Sequence, residues 1–171
     1  MATVLVEGES DRRAVEVLAR RLGAVPVDVE VMNGITNLRK HLAAGDGPVL
    51  LLHDLAETAY VDRVLAATGA DVARFVCDAD LEDELIRAVG VEGMLAVIDA
   101  QGERAAYERM AQQPAQRDRT DHQRLRRWLG ARSGHKISYA GFLAEAVPLD
   151  DVPGPLRGLV GDLAQEVENP R

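Results

Sequence analysis

Four short apolar runs, each followed by an amphipathic helical pattern, point to an α/β chain. The expected architecture is an open, mostly parallel sheet of about four strands flanked by helices, with a helical C-terminal extension. Three observations carry this reading. The run at 49–52 is apolar throughout, as expected of a central parallel strand buried on both faces. Gly23, Gly69 and Gly90 each close a helical pattern. After Gly90 the strand signals cease and only helical periodicity remains. We therefore expect an α/β core over 1–90 and a helical extension over 91–171 packed on it as one compact unit.

The elements follow in order. Residues 2–6 form a strand, with β-branched Thr3, Val4 and Val6. Gly8 permits a tight turn and Ser10 is suited to cap a helix running to about Leu22. Ala14, Val15, Leu18 and Leu22 share one face of that helix. In 25–31, Val25, Val27, Val29 and Val31 alternate with polar residues or proline, which suits an edge strand or one covered face. Asn33-Gly34 is a turn, 36–44 a helix, and Gly45-Asp46-Gly47-Pro48 a break. The third strand, 49–52, ends in His53-Asp54-Leu55-Ala56-Glu57, and a helix spans 59–68. The fourth strand, 74–77, ends in Asp78-Ala79-Asp80, and its helix runs to Val89 and stops at Gly90. Residues 91–110 read as helix, 112–121 as a polar loop, and 124–129 as a basic helix with Leu125, Trp128 and Leu129 inward. Helices over 137–147 and 155–165 follow, and 166–171 is expected to fray.

The chain has 171 residues and a net charge of −8, which argues against nucleic-acid binding by the surface as a whole. The charge is uneven, because Arg117 to Lys136 holds seven Lys/Arg against Asp118 and Asp121. One cysteine, Cys77, excludes an internal disulfide and a cysteine-based zinc site, which fits a cytoplasmic protein. Glu7 interrupts the first apolar run and no basic n-region precedes it, so no signal peptide is expected. No apolar stretch reaches the ~18 residues of a membrane span.

Acids stand where the strands end: Glu7 after the first, Asp54 after the third, Asp78 and Asp80 after the fourth. Ligands of parallel α/β sheets bind at those carboxyl ends. Neighbouring strands lie ~4.8 Å apart, so such acids can share one cation. Oxygen-only donors point to Mg²⁺ or Mn²⁺. Asp11 and Glu82 sit in the first turns of helices, where the dipole alone favours an acid by ~0.3–1 kcal/mol, and Asp80 is equally read as a helix cap. Glu7 and Asp54 gain nothing from a dipole, and a functional role is the better reading for them.

The string Leu5-Val6-Glu7-Gly8-Glu9-Ser10-Asp11, after an apolar run and before a helix, resembles the first motif of the Toprim domain. That domain is shared by topoisomerases, primases, a ribosomal RNA maturase and the nucleases of the OLD (overcoming lysogenization defect) family. The resemblance covers about residues 2–89. A weaker similarity to the OLD nuclease portion extends through Ile137-Ser138-Tyr139-Ala140, preceded by Lys136. It implies a Toprim/Rossmann-like fold and hydrolysis of phosphodiesters in nucleic acid, in DNA before RNA, by a metal-bound water. By strand order Asp54 matches the first aspartate of the family's Asp-x-Asp, and the second position is Ala56. Glu57 is the candidate substitute, and a literal Asp-x-Asp stands at Asp78-Ala79-Asp80.

The resemblance thus implies Glu7, Asp54 and Lys136 as catalytic residues, and Glu7, Asp11, Asp54, Glu57, Asp80 and Glu82 as ligands of Mg²⁺ or Mn²⁺. Lys136 would stabilise charge on the scissile phosphate. Arg117, Arg119, Arg124, Arg127 and Arg132 are candidates for phosphate contact, against a reading as a solvated helix face. His53 is beside Asp54 and within reach of a metal, a packed histidine being the other reading. Cys77 reads as an inert buried residue. No Walker A motif occurs, so the ATPase that accompanies OLD-type Toprim domains is expected as a separate partner if at all. The oligomeric state stays open, a homodimer included. The alternative function is a catalytically degenerate Toprim domain, marked by Ala56, that binds nucleic acid or a partner ATPase.

Overall fold

Four strands, β1 (Thr3–Val6), β2 (Asp28–Val31), β3 (Val49–Asp54) and β4 (Val72–Cys77), form one parallel sheet in the order β2-β1-β3-β4. The structure is a computed structural model and describes residues 2–24, 27–45 and 47–168, with the side chains of 166–168 excepted. Val25 and Pro26, the expected start of the second strand, lie outside those residues. β1 and β3 are central and nearly fully buried, whereas β2 lies at an edge with alternating exposure, as its Val-polar pattern implies. β4 is the other edge and begins two residues before the expected Arg74. Its outward Arg74 is paired with Asp62.

Strand alternation divides the core into two layers. Val4, Val6, Leu50 and Leu52 face one side with α1 (Glu9–Arg21) and most of the later helices. Leu5 and Leu51 face the other side with α2 (Leu38–Leu42) and α3 (Thr58–Thr68). The chain leaves β1 to one side for β2, then crosses back to the other side for β3. The strand order therefore reverses between β1 and β3, and the carboxyl ends of these two strands flank the crevice where such sheets take ligands.

Several helix boundaries move from their expected places for identifiable reasons. α1 starts at Glu9 with Gly8 as its N-cap, so Ser10 lies inside the helix. The Asp11 carboxylate accepts the Gly8 N–H at 2.8 Å, doing the capping that Ser10 was expected to do. The expected helix over 36–44 is a 3-10 turn, Ile35–Asn37, leading into α2. Gly90 breaks the helix as expected: at φ 74° and ψ 169° it is not helical, and α4 (Leu81–Ala100) is two helical segments joined across a kink there. α5 (Arg104–Ala111), α6 (Asp121–Leu129), α7 (His135–Ala146) and α8 (Gly154–Glu168) complete the chain. α8 runs past the expected end at Gln165, and 169–171 lie outside the described residues.

α7 packs closely along α1. A Cβ on Gly141 would meet Arg13 Nε at 2.9 Å, so any side chain there would have to displace the Arg13 side chain. Ala140 and Ala144 keep the rest of the contact narrow. Arg21 donates to the carbonyls of Ala144 and Val147, at 2.5 and 2.8 Å, and satisfies the last turn of α7. The opposite end of α7 carries Lys136 to the crevice. Among the described residues, no helix is long and apolar enough to cross a membrane.

Candidate metal centre

A cleft of about 260 Å³ opens at the carboxyl ends of β1 and β3. Glu7, Asp11, Asp54, Asp80, Glu82 and Lys136 line it, together with His53 and Cys77. Each arrives by a different element. Glu7 follows β1, Asp54 ends β3, and Asp11 projects from the first turn of α1. Asp80 caps α4 by accepting the Asp83 N–H at 2.8 Å, and Glu82 lies in that helix's first turn. Lys136 Nζ is 3.5 Å from Glu82 Oε1.

The carboxylates are close enough to oppose one another's ionisation. Burial pushes Asp11 up to about 7, against the Gly8 hydrogen bond, with Glu82, Asp54 and Glu7 adding. Burial raises Asp54 to about 6, with Asp80, Glu7 and Glu82 adding and Lys136 opposing. Burial raises Glu57 to about 7, and the charges of Glu7 and Asp54 and a hydrogen bond to Glu7 add to this. Glu57 thus joins the site from the side of α3. Among the described residues its Oε2 is buried without a partner, as are His53 Nε2 and Thr58 Oγ1 nearby in the chain. Uncompensated carboxylates at this density need protons or a cation.

The donor chemistry fits a hard divalent ion: carboxylate oxygens, one of them orphaned, in a mutually repelling group. The geometry is looser. Among the described residues, no three His, Cys, Asp or Glu donors converge on a single point. Ligation would require side chains to close inward.

Not every acid or arginine belongs here. Asp78 is exposed and faces Arg87, so of the literal Asp-x-Asp only Asp80 reaches the cleft. Glu84 accepts the Asp78 N–H and pairs with Arg87. Arg124 is turned onto the carbonyls of Gln116 and Arg117 and onto Asp121. Arg132 pairs with Glu103 and covers the Trp128 ring. Arg119 and Arg127, with Gln123 and Arg126, line a second hollow of about 450 Å³. Arg117 offers its carbonyl to Arg124. Arg126, which sequence reasoning did not select, links the two cavities by pairing with Asp80 and, at 3.1 Å, with Asp83. Burial works to raise Asp83, but the His122 hydrogen bond and the charges of His122, Arg87 and Arg126 hold it low overall. Only its place in a charge-rich helix was legible, and adjacent Arg127 looks the same from sequence. Burial pushes the Cys77 thiol up, leaving it neutral and inert.

A parallel sheet with acids gathered at its central carboxyl ends, covered by helices, is a Toprim-like α/β fold. Among solved structures the chain is similar to the C-terminal region of the OLD protein of Xanthomonas campestris pv. campestris. The TM-score is 0.67 at 23% identity, over 98% of this chain and 95% of that one. It is likewise similar to the C-terminal region of the Burkholderia pseudomallei OLD protein, with a TM-score of 0.70 at 20% identity, over 97% and 98%. The chain has the fold of these C-terminal regions across both the sheet and the later helices. No protein-family model matches it, and a comparison with characterised proteins by sequence finds no match.

Proposed function

We propose that this chain is a metal-dependent phosphodiesterase acting on nucleic acid, DNA in the first place. The observation that carries the reading is the convergence of Glu7, Asp11, Asp54, Asp80, Glu82 and Lys136 on one cleft at the point of strand reversal. The fold shared with OLD C-terminal regions supports it. A bound Mg²⁺ or Mn²⁺ would supply an activated water and a Lewis acid for the phosphate oxygens. Glu7 and Asp54 would hold it, with Asp11, Glu57, Asp80 and Glu82 completing one or two sites.

The chain's own residues do the rest. Lys136 brings a cation on a long stem to the cleft mouth, where it can offset charge developing on phosphate. Arg119 and Arg127 lie one cavity away and can take flanking phosphates. The test is cleavage of plasmid DNA by metal-freed protein resupplied with Mg²⁺ or Mn²⁺. Cleavage should appear with the ion and fall by more than about 100-fold in Glu7→Gln, as expected when a group acting at the transition state is lost. Equal cleavage by the variant sinks the proposal.

Ala56, together with the lack of three converging donors among the described residues, favours a second reading. This is a degenerate domain that binds nucleic acid or a partner ATPase without hydrolysis. Calorimetry separates the two, because only the first requires Mn²⁺ binding that Glu7→Gln abolishes.

A further inference from the structure

His53 is the one buried imidazole at the cleft, 2% exposed. Its Nδ1 lies 2.9 Å from the Asp54 carbonyl oxygen. A carbonyl only accepts, so Nδ1 carries the proton and donates. In the neutral ring Nε2 is then a bare lone pair, and it has no partner among the described residues. A buried acceptor left in this way costs stability unless something occupies it.

The register shows what is near. Leu5 and Leu51 are partners across β1 and β3, and both face the layer of α2 and α3. Two residues further along each strand come Glu7 and His53, on that same side. Glu57 stands just before α3, near enough to Glu7 for that charge to act on it. By register His53 stands beside Glu7 on the side of α3, which Glu57 precedes, while Asp11, Asp80, Glu82 and Lys136 come from helices on the other.

We propose that His53 Nε2 is a metal ligand, making the Glu7–Glu57 side of the site a mixed nitrogen–oxygen centre that prefers a transition ion over Mg²⁺. The proposal rests on the reading of the cleft as a metal centre. Carboxylate oxygens alone suit Mg²⁺, whereas an imidazole nitrogen adds affinity for first-row transition ions and little for Mg²⁺. The hydrogen bond from Nδ1 to a backbone carbonyl is the arrangement that orients ligating histidines.

The experiment uses the full chain, freed of metal, with Mn²⁺ as the probe. Pulsed electron paramagnetic resonance of the Mn²⁺ protein should show ¹⁴N modulation from a directly bound imidazole. His53→Leu and His53→Gln should remove the modulation, raise the Mn²⁺ dissociation constant about tenfold or more, and change the Mg²⁺ constant by less than about twofold. The wild-type spectrum needs no variant to fold. Mn²⁺ bound in a Glu7-dependent manner without ¹⁴N modulation overturns the proposal and leaves the metal centre standing. Modulation that persists in His53→Leu overturns it as well, because another histidine is then the ligand. An absence of Glu7-dependent Mn²⁺ binding overturns both this and the metal centre.

Discussion

Asp11 combines two duties that pull in opposite directions. Its carboxylate caps α1 through the Gly8 N–H, and burial near Glu82, Asp54 and Glu7 raises it to about 7. An amide at this position keeps the acceptor oxygen and removes the charge. Asp11→Asn should therefore raise the melting temperature of the metal-free protein at pH 8 by a few degrees. It should also weaken the stabilisation that Mn²⁺ confers on the wild type, as read by thermal denaturation with and without the ion. Lys136 calls for a different measurement. Its side chain is more than half exposed, so Lys136→Ala should leave stability nearly unchanged and slow DNA cleavage by about 100-fold or more. Single-turnover kinetics at saturating Mn²⁺ would show this, and an unchanged rate would remove Lys136 from the chemistry.

α7 reaches the cleft because its side against α1 is built from Ala140, Gly141 and Ala144. Gly141→Val would press methyl groups into Arg13, which has its Nε 2.9 Å from the added Cβ, and so push α7 outward. A loss of about 1–3 kcal/mol in denaturant unfolding is expected, the usual cost of overpacking. Gly141→Ala should cost less, since Arg13 can swing part of the way. The basic helix α6 is a second case. Arg124 and Arg132 are already engaged within the protein, so charge reversal of Arg119 and Arg127 should weaken DNA binding more than changes at Arg124 or Arg132. The variants should also flatten the dependence of binding on salt, by roughly one unit of slope for each phosphate that is no longer neutralised, in titrations at several ionic strengths.

The carboxylate cluster also sets how the folded chain responds to pH. Asp11, Asp54 and Glu57 are raised to about 7, 6 and 7, above their ordinary values, so the native state holds protons that the unfolded chain has released. Their contribution is full at low pH and is lost as pH rises from about 4 to about 7. The metal-free protein should lose stability across that window, and saturating Mg²⁺ or Mn²⁺ should reduce the slope. Unfolding midpoints at a series of pH values, with and without the ion, test this. An equal slope in both would mean that the cleft does not take the cation.

Local patterns were enough to read the β-α alternation, the burial of the third strand and the placing of Glu7 and Asp54 at strand ends. Periodicity and turn chemistry are written in neighbouring residues, and an acid at the end of a buried strand has no local cause. Folding in three dimensions settled the rest. The strand order β2-β1-β3-β4 set Glu7 beside the end of β3. Packing of α7 on α1 carried Lys136 to the cleft, and α6 carried Arg126 to Asp80. These pairings join residues 46 and more positions apart in the chain, and no local preference encodes which of several similar arginines will meet a given acid. Ser10 shows the converse: a good cap, overruled because a neighbouring carboxylate satisfied the backbone in another way.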